Sequence, residues 1–283
     1  MSPSITIRPA TLEDLVEVKH VCYSVWEDDY VPELLPRWLV NTEEFYPVVA
    51  EVKGQQIVGV GNLRRTGRQG WLEGLRVHAD HHGHKIGTLV MEELLNSPLG
   101  REVTVFRLAT GQTNTPVWRM SERLGFTPTI SSHAVEVVSL DSERDEGSPL
   151  PYEPIDPTRT LFNDLAIQFG EWLPLSFFAV PQSEEGFNYV QSSLLYQTEF
   201  GVLLVETRHP ENSPKLGFLS FYPSRAFNPN ELRSLVSLIG RFGREQGKER
   251  SYLSIPNLGN YLPSFTSSDY CCRVFPLQFF EKW

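Results

Sequence analysis

The sequence lacks any hydrophobic run long enough to cross a membrane, and its N-terminus has no charged segment followed by an apolar one. A membrane-spanning helix needs about 20 mostly apolar residues, and a secretory signal begins with that charged-then-apolar pattern. Cysteine is also scarce, because the chain has only 3. Cys22, Cys271 and Cys272 offer neither a disulfide framework nor the spacing of a zinc site. We therefore expect a cytoplasmic protein with reduced thiols and no membrane contact.

The chain has fewer basic than acidic side chains. It contains 25 Lys and Arg and 35 Asp and Glu, so its formal net charge is −10. Surfaces that bind nucleic acid carry clustered positive charge, so we expect no nucleic-acid partner. The hydrophobic fraction of 40% and the 17 Phe are typical of a packed globular protein. The length of 283 residues suits one large domain or two ordinary ones.

Residues 71–96 combine a strand pattern, a turn with glycines and a helix pattern. Residues 71–77 alternate between two faces, as in a β-strand, and residues 86–95 repeat apolar side chains at helical spacing. The turn between them carries Gly83 and Gly87. A strand that enters a helix through such a turn leaves free backbone N–H groups at the positive end of the helix dipole. The stretch therefore predicts a site for a phosphate or pyrophosphate.

This stretch resembles motif A of the GNAT superfamily of acetyl-CoA-dependent N-acetyltransferases, where a Leu-x-Val strand end precedes a glycine turn and an amphipathic helix. Two residues depart from the family pattern. His82 stands where the family usually has Arg or Gln, and Lys85 stands where it usually has Gly. The change at Lys85 either tightens the steric limits of the loop or supplies an ammonium group to the pyrophosphate.

A second stretch, residues 114–126, resembles motif B of the same superfamily, an Asn followed by a short helix and Gly-Phe. Asn114 fits the N-cap of that helix, Pro116 its first turn and Gly125 its C-terminal cap. The dipeptide Arg8-Pro9 after an opening strand is also typical of the superfamily. The resemblance covers about residues 4–140.

The element order predicts an α/β (α+β) fold, with a mixed central sheet and helices on both faces. We assign residues 1–145 to a GNAT acetyl-CoA-binding catalytic domain and residues 146–157, which are rich in proline, to a linker. Residues 158–283 repeat the strand and helix order of the second half of a GNAT fold without its glycine turn. They predict a degenerate GNAT-like domain that binds no acetyl-CoA, and an unrelated α+β cap is the alternative.

Local signals give further predictions. Thr11 and the acids after it predict a helix from about Leu12 to Val25. The prolines in residues 26–41 predict a loop and a short helix, Lys53-Gly54 predicts a hairpin turn, and residues 134–140 predict the closing strand.

A narrower resemblance involves Tyr30-Val31-Pro32, Trp38-Leu39 and the run from Glu73 to Val77. Together with a large C-terminal half, these residues resemble the histidine N-acetyltransferase group, whose members acetylate the α-amine of a free amino acid. The similarity favours a small primary amine as acceptor.

The GNAT resemblance implies roles for individual residues. Glu73 matches a position where several members keep a general base, and an ion pair at the cleft edge is the alternative. Ser121 matches the position of a Tyr that often acts as general acid. Either the Ser121 hydroxyl donates a hydrogen bond to the sulfur of the leaving group, or water protonates the departing thiolate. The implied residues for acetyl-CoA are Leu75, Arg76, Val77, His82, Gly83, His84, Lys85, Ile86, Gly87, Thr88 and Asn114.

In the same family, the region after the first helix forms one wall of the acceptor cleft. Its acids and aromatics are candidates for holding an amine, and a solvated loop with buried aromatics is the alternative. The candidates are Trp26, Glu27, Asp28, Asp29 and Tyr30.

The four histidines of residues 78–84 raise the question of a metal, but no nearby Cys or spaced carboxylate completes a tetrahedral set. We expect no metal.

The predicted function is acetyl transfer from acetyl-CoA to the primary amine of a small molecule, with a free amino acid as one candidate. A non-catalytic module that senses acetyl-CoA or binds a protein, and a protein or peptide acetyltransferase, are the alternatives. Both a monomer and a homodimer remain open.

Overall fold

A computed structural model of the chain describes residues 5–27, 29–52, 56–138, 151–170, 172–176, 178–206, 216–225, 228–256 and 272–283. Its strands are β1 (Ile5–Pro9), β2 (Phe45–Val52), β3 (Gln56–Thr66), β4 (Gln69–Val77), β5 (Val105–Gly111), β6 (Thr127–Val138), β7 (Tyr152–Ile155), β8 (Trp172–Pro174), β9 (Ala179–Pro181), β10 (Leu194–Thr198), β11 (Gly201–Val205), β12 (Leu216–Pro223), β13 (Arg250–Pro256) and β14 (Cys272–Lys282). Its helices are α1 (Leu15–Tyr23), α2 (Val31–Val40), α3 (Ile86–Asn96), α4 (Thr115–Arg123), α5 (Arg159–Ile167), α6 (Glu184–Gln191) and α7 (Pro229–Glu245). The predicted mixed α/β class is confirmed.

The chain divides into two compact units. Unit 1 comprises Met1–Leu108, Asn114–Pro128 and Phe280–Trp283, and unit 2 comprises Ala109–Thr113 and Thr129–Phe279.

The sheet of unit 1 has the order β1-β2-β3-β4-β5. The neighbours from β1 to β4 pair antiparallel, and β4 pairs parallel with β5. Helices cover both faces of the sheet, as the apolar stripes predict. Buried residues of α1 and α2, such as Val21 and Trp38, belong to one core cluster, and Ile86 and Val90 of α3 belong to the cluster on the other face.

The last residues of the chain complete unit 1. The ring of Phe280 packs edge-to-face on Trp118, with ring centroids 4.9 Å apart. Glu281 forms an ion pair with Arg107 at 2.8 Å. These contacts join residues that are far apart in sequence, so local patterns alone do not predict them.

In unit 2 the strand order is β14-β6-β13-β12-β11-β10-β7. Helix α7 follows β12 and leads to its parallel neighbour β13. The sequence Asn228-Pro229-Asn230-Glu231 is typical of a helix start, and the structure confirms this cap: Asn228 Oδ1 accepts from the N–H of Glu231, and the Glu231 carboxylate accepts from the N–H of Asn228. The strand–helix–parallel strand order also occurs in β4-α3-β5 of unit 1. A second, degenerate GNAT-like domain remains a prediction.

Residues 31–40 form a short helix, which confirms the prediction of a loop and a short helix in residues 26–41. Pro32 lies in the first turn, where no intrahelical N–H bond is needed. Pro36 does remove one such bond, and this loss is offset by the burial of Leu34, Leu35 and Trp38.

Other boundaries differ by a few residues. The first helix begins as a 3₁₀ turn over Leu12–Asp14 and continues as α1. The predicted turn at Lys53-Gly54 and residues 139–150 lie outside the described residues. The predicted boundaries 1–145, 146–157 and 158–283 therefore stay a prediction, although Tyr152–Ile155 forms a strand within the predicted linker.

No helix in the described part of the chain combines the length and the apolar character that a membrane crossing requires. Cys22 is free and buried, and burial raises the pKa of its thiol to about 12.

Candidate functional site

A bulge in β4 shapes the candidate site. Asn62 lies opposite Glu73 and Val60 lies opposite Arg76, so β4 has an extra residue between these two pairs. Gly74 sits in this bulge with a φ of +67°, and a Cβ there would lie 2.7 Å from Cη2 of Trp38. Only glycine fits this position without displacing the indole ring.

Beyond the bulge, β4 has one open edge. Its pairing with β5 covers Gln69–Trp71, and within the described residues no strand pairs with the remainder of β4 on that side. The N–H of His78 donates to Val58 O of β3, and N–H groups alternate between the two edges of a strand. The N–H of Arg76 therefore faces β3, while those of Leu75 and Val77 face the open edge.

Two backbone carbonyls on the open edge accept hydrogen bonds from nearby side chains. Nη1 of Arg76 donates to Leu75 O at 3.0 Å. Nε2 of His82 lies 2.9 Å from Val77 O, which places the imidazole proton on Nε2. His82, where the family usually has Arg or Gln, thus ties the loop after β4 back to the open edge.

The loop between β4 and α3 has two left-handed residues. Gly83 has a φ of +82°, and a Cβ built there meets no atom within 4 Å. Lys85 has a φ of +62° and immediately precedes α3. The N–H groups of residues 86–88 form the first turn of α3, where a helix supplies no acceptor of its own. The first amides of a helix have no acceptor within the helix and lie at the positive end of its dipole, so this helix start fits a phosphate group.

Replacing Lys85 with Gly is expected to stabilise the protein by about 1 kcal/mol, because a left-handed conformation costs an L-residue about that much and glycine nothing. The free energy of unfolding in urea checks this. Lys85→Ala is the matched control, since it removes the same ammonium but keeps the Cβ, and we expect no gain from it. A less stable Lys85→Gly protein would contradict the expectation.

Glu73 is half-buried, and its Oε1 accepts from Nδ2 of Asn62 at 2.9 Å. Burial raises the pKa of the Glu73 carboxyl, since few solvent molecules stabilise its charge. The Arg64 guanidinium and the Asn62 hydrogen bond oppose this shift, Glu44 adds to it and Arg37 opposes it. A carboxylate with a raised pKa is suited to accept a proton near neutral pH.

Asp29 forms a buried ion pair with Arg76. Nε of Arg76 lies 2.5 Å from Oδ2, Nη2 donates to Oδ1 at 3.3 Å, and the N–H of Val31 also donates to Oδ1. The guanidinium lies 4.3 Å from the Trp26 ring and 5.3 Å from the Tyr30 ring. Of the predicted acceptor wall, the structure thus joins three residues around Arg76.

The remaining two predicted wall residues are Glu27 and Asp28. Glu27 is exposed, and Asp28 lies outside the described residues. The Asp29 side chain has no exposed surface, so its carboxylate serves Arg76 and the start of α2.

The motif B residues lie at the predicted places on α4. Asn114 occupies the N-cap position but makes no capping hydrogen bond with its side chain, and Gly125 follows the helix with a φ of +84°. Ser121 is fully buried, and its Oγ has no partner among the described residues. Its hydroxyl is therefore enclosed by protein.

His78, His81 and His84 form a row of edge-to-face contacts, with ring centroids 5.9 Å and 6.5 Å apart. Among the residues that the structure describes, no three His, Cys, Asp or Glu side chains are arranged as metal ligands.

Sequence reasoning missed Asn62. The available signal was weak: Asn62 is a polar residue at an inward position of a strand that is otherwise largely apolar and buried. Its partner Glu73 becomes visible only once the register of β3 and β4 is known.

Residues 12–126 match the model of the acetyltransferase (GNAT) family. Solved structures extend the likeness to almost the whole chain. A candidate acetyltransferase from Pyrococcus horikoshii has a TM-score of 0.60 at 14% identity, over 98% of this chain and 89% of that one. A candidate acetyltransferase from Thermoplasma acidophilum has a TM-score of 0.58 at 16% identity, over 98% and 99% of the two chains.

A GCN5-related N-acetyltransferase from Sphaerobacter thermophilus has a TM-score of 0.56 at 16% identity, over 98% of this chain and 95% of that one. Identities this low establish a shared fold and nothing about substrate. The likeness shows that the chain has the fold of these proteins, and the family match adds residues 12–126, which are less than half of the chain. The narrower resemblance to the histidine N-acetyltransferase group is not tested by these matches and stays a prediction.

Proposed function

We propose that this protein transfers an acetyl group from acetyl-CoA to the primary amine of a small molecule. The observation that carries the proposal is the bulged β4: its open edge leads directly into a left-handed loop at the N-terminus of α3, and Glu73 lies beside the bulge. The proposed acetyl-CoA site, the open strand edge and the candidate base thus lie in one short segment of the chain.

Residues 83–88 are proposed to hold the pyrophosphate of acetyl-CoA. Their exposed loop and the first amides of α3 fit an anion, and the space above Gly83 is open. The N–H groups of Leu75 and Val77 are proposed to pair with the pantetheine arm. Lys85 is exposed and supplies a cation next to this loop.

Glu73 is proposed to take one proton from the acceptor ammonium, which leaves a neutral amine with a free electron pair. Bound acetyl-CoA supplies a thioester whose C–S bond breaks as the new N–C bond forms. The nitrogen then loses a second proton to water, and the departing thiolate takes up one proton. The N–H of Leu75 is proposed to stabilise charge on the thioester oxygen. Because Ser121 Oγ is enclosed, water is the better source of the final proton.

A non-catalytic module that binds acetyl-CoA is the second candidate. The observation in its favour is Ser121, a short and buried hydroxyl where many GNAT enzymes have a Tyr. The two candidates differ in thiol release and agree on acetyl-CoA binding.

The test is thiol release from acetyl-CoA with a panel of free amino acids, polyamines, aminoglycosides and short peptides. Release with small amines supports the enzyme, and release with peptides alone would assign protein acetylation. If no amine in the panel causes thiol release but calorimetry shows that acetyl-CoA binds, the protein is the non-catalytic module.

Gly83→Trp is expected to weaken acetyl-CoA binding at least about tenfold, because the indole fills the space above the loop. Calorimetry measures the affinity. Gly247→Trp is the matched control, since Gly247 also has a positive φ and no atom within 4 Å of a Cβ. Undiminished affinity in Gly83→Trp would refute the placement of the pyrophosphate.

A further inference from the structure

The side chain of Arg76 connects a buried ion pair to the open edge of β4. Its Nε and Nη2 donate to the carboxylate of Asp29, and its Nη1 donates to Leu75 O at 3.0 Å. The guanidinium is buried, and the ring of Trp26 lies 4.3 Å from it. The nitrogens of one guanidinium therefore contact two separate stretches of unit 1, the residues before α2 and the backbone of β4.

The backbone of Leu75 lies where the strand ladder is interrupted. The register of β3 and β4 shifts at the bulge, and Leu75 is not among the β4 residues that pair with a β3 residue. On the other side, the pairing with β5 ends at Trp71. The preceding residue, Gly74, has a φ of +67° and no Cβ to restrict its rotation. The hydrogen bond from Arg76 thus anchors a residue that the ladder does not fix.

The anchored residue carries the proposed donor to the thioester oxygen. The N–H and C=O of one strand residue point to the same edge, so both groups of Leu75 face the open edge of β4. A hydrogen-bond donor stabilises a transition state best when it is already aimed at the atom where charge develops, because no reorganisation is then needed during the reaction. A contact that fixes Leu75 O limits the rotation of the whole residue.

We propose that the Arg76 side chain is a positioning residue for acetyl transfer: by holding Leu75 O, it keeps the Leu75 N–H aimed at the thioester oxygen of acetyl-CoA. The inference rests on the proposed function and assigns to it a side chain that contacts no reacting atom. Asp29 and Trp26 act one step further away, because they hold the guanidinium in place. This role requires no contact between them and the amine.

The double variant Asp29→Leu/Arg76→Met separates this role from the contribution of the ion pair to stability. It removes both charges together, so no unpaired charge is left buried and the fold is retained. We expect kcat to fall about 10- to 100-fold with the amine that gives the fastest thiol release, because a small misalignment of reacting groups or of an electrostatic donor costs that much. Acetyl-CoA affinity by calorimetry should change less than about threefold, since the loop at residues 83–88 is untouched. A purely structural role predicts wild-type kcat once stability is recovered.

The double variant Arg107→Met/Glu281→Leu is the matched control. These two residues form another ion pair of unit 1 with little exposed surface, at an N–O distance of 2.8 Å. Arg107 lies on β5 opposite Trp71, before the bulge in β4. Its loss should leave kcat unchanged, whereas an equal fall in both double variants would show that any loss of a buried pair slows the reaction and would overturn the inference.

Arg76→Lys is a second test that keeps the positive charge beside Asp29. A lysine ammonium is a single point and cannot reproduce the contacts of the planar guanidinium with both Asp29 and Leu75 O. We expect kcat to fall about tenfold, again with intact acetyl-CoA binding.

The outcomes distinguish the two proposals. If the wild-type protein binds acetyl-CoA but releases thiol with no amine, the proposed function fails. If the wild-type protein is active and Asp29→Leu/Arg76→Met folds with wild-type kcat, this inference alone fails. If that variant does not fold, Arg76→Lys decides: wild-type kcat overturns the inference, and a lower kcat with unchanged acetyl-CoA affinity supports it.

Discussion

Glu73→Gln is expected to lower kcat/KM by about 10²- to 10⁴-fold with any amine that the protein accepts, which is the range that a positioned general base contributes. Gln has nearly the same shape, and its carbonyl still accepts from Asn62, so the change removes mainly the ability to take a proton. The acid limb of the pH profile should disappear with it. Steady-state rates between pH 6 and 9 measure both effects.

Loss of folding would not explain such a result. The pKa of Glu73 is raised in the folded protein, so its ionised form opposes folding. The wild-type protein therefore loses stability as the pH rises from the unfolded pKa of about 4.3 through the higher folded value, whereas Glu73→Gln does not. The variant should be at least as stable as wild type at pH 8, by urea denaturation.

Glu44→Gln is the control for charge alone. Glu44 raises the pKa of Glu73 through space, so its neutralisation should lower the acid limb slightly and leave the plateau rate unchanged. A Glu73→Gln protein with wild-type rates across the pH range would remove Glu73 as the base.

Sequence patterns were sufficient to predict the elements whose structure depends on residues close together in the chain. The strand β4, the helix α3 and the capped helix α7 follow from periodicity and from cap residues such as Asn228. Gly125 could be placed for the same reason, because its left-handed conformation is set within one turn. The loop before α3 was likewise located, with Lys85 at a position whose φ of +62° favours glycine.

The sequence could not specify the contacts that depend on register and tertiary packing. The partners Asp29 and Arg76 are 47 residues apart, so the acidic stretch predicted to hold an amine has its buried carboxylate on a guanidinium instead. Asn62 meets Glu73 only because β3 and β4 pair in that register.

Asp29→Ala is expected to destabilise the protein by about 3–5 kcal/mol, because it leaves the Arg76 guanidinium buried without its carboxylate. The exposed fractions of the two side chains are 9% for Arg76 and 0% for Asp29, so solvent replaces little of the lost interaction. The N–H of Val31 also loses its acceptor at the start of α2. Urea denaturation at constant pH measures the loss.

Two further variants separate charge burial from simple loss of contacts. Asp29→Leu combined with Arg76→Met removes both charges and keeps much of the volume, and it should recover most of the stability that the single change loses. Glu102→Ala removes the partner of Arg65 in an ion pair at 3.0 Å whose Glu side chain is 61% exposed, and we expect a loss below about 1 kcal/mol. If Asp29→Ala costs no more than Glu102→Ala, the ion pair does not hold α2 against β4.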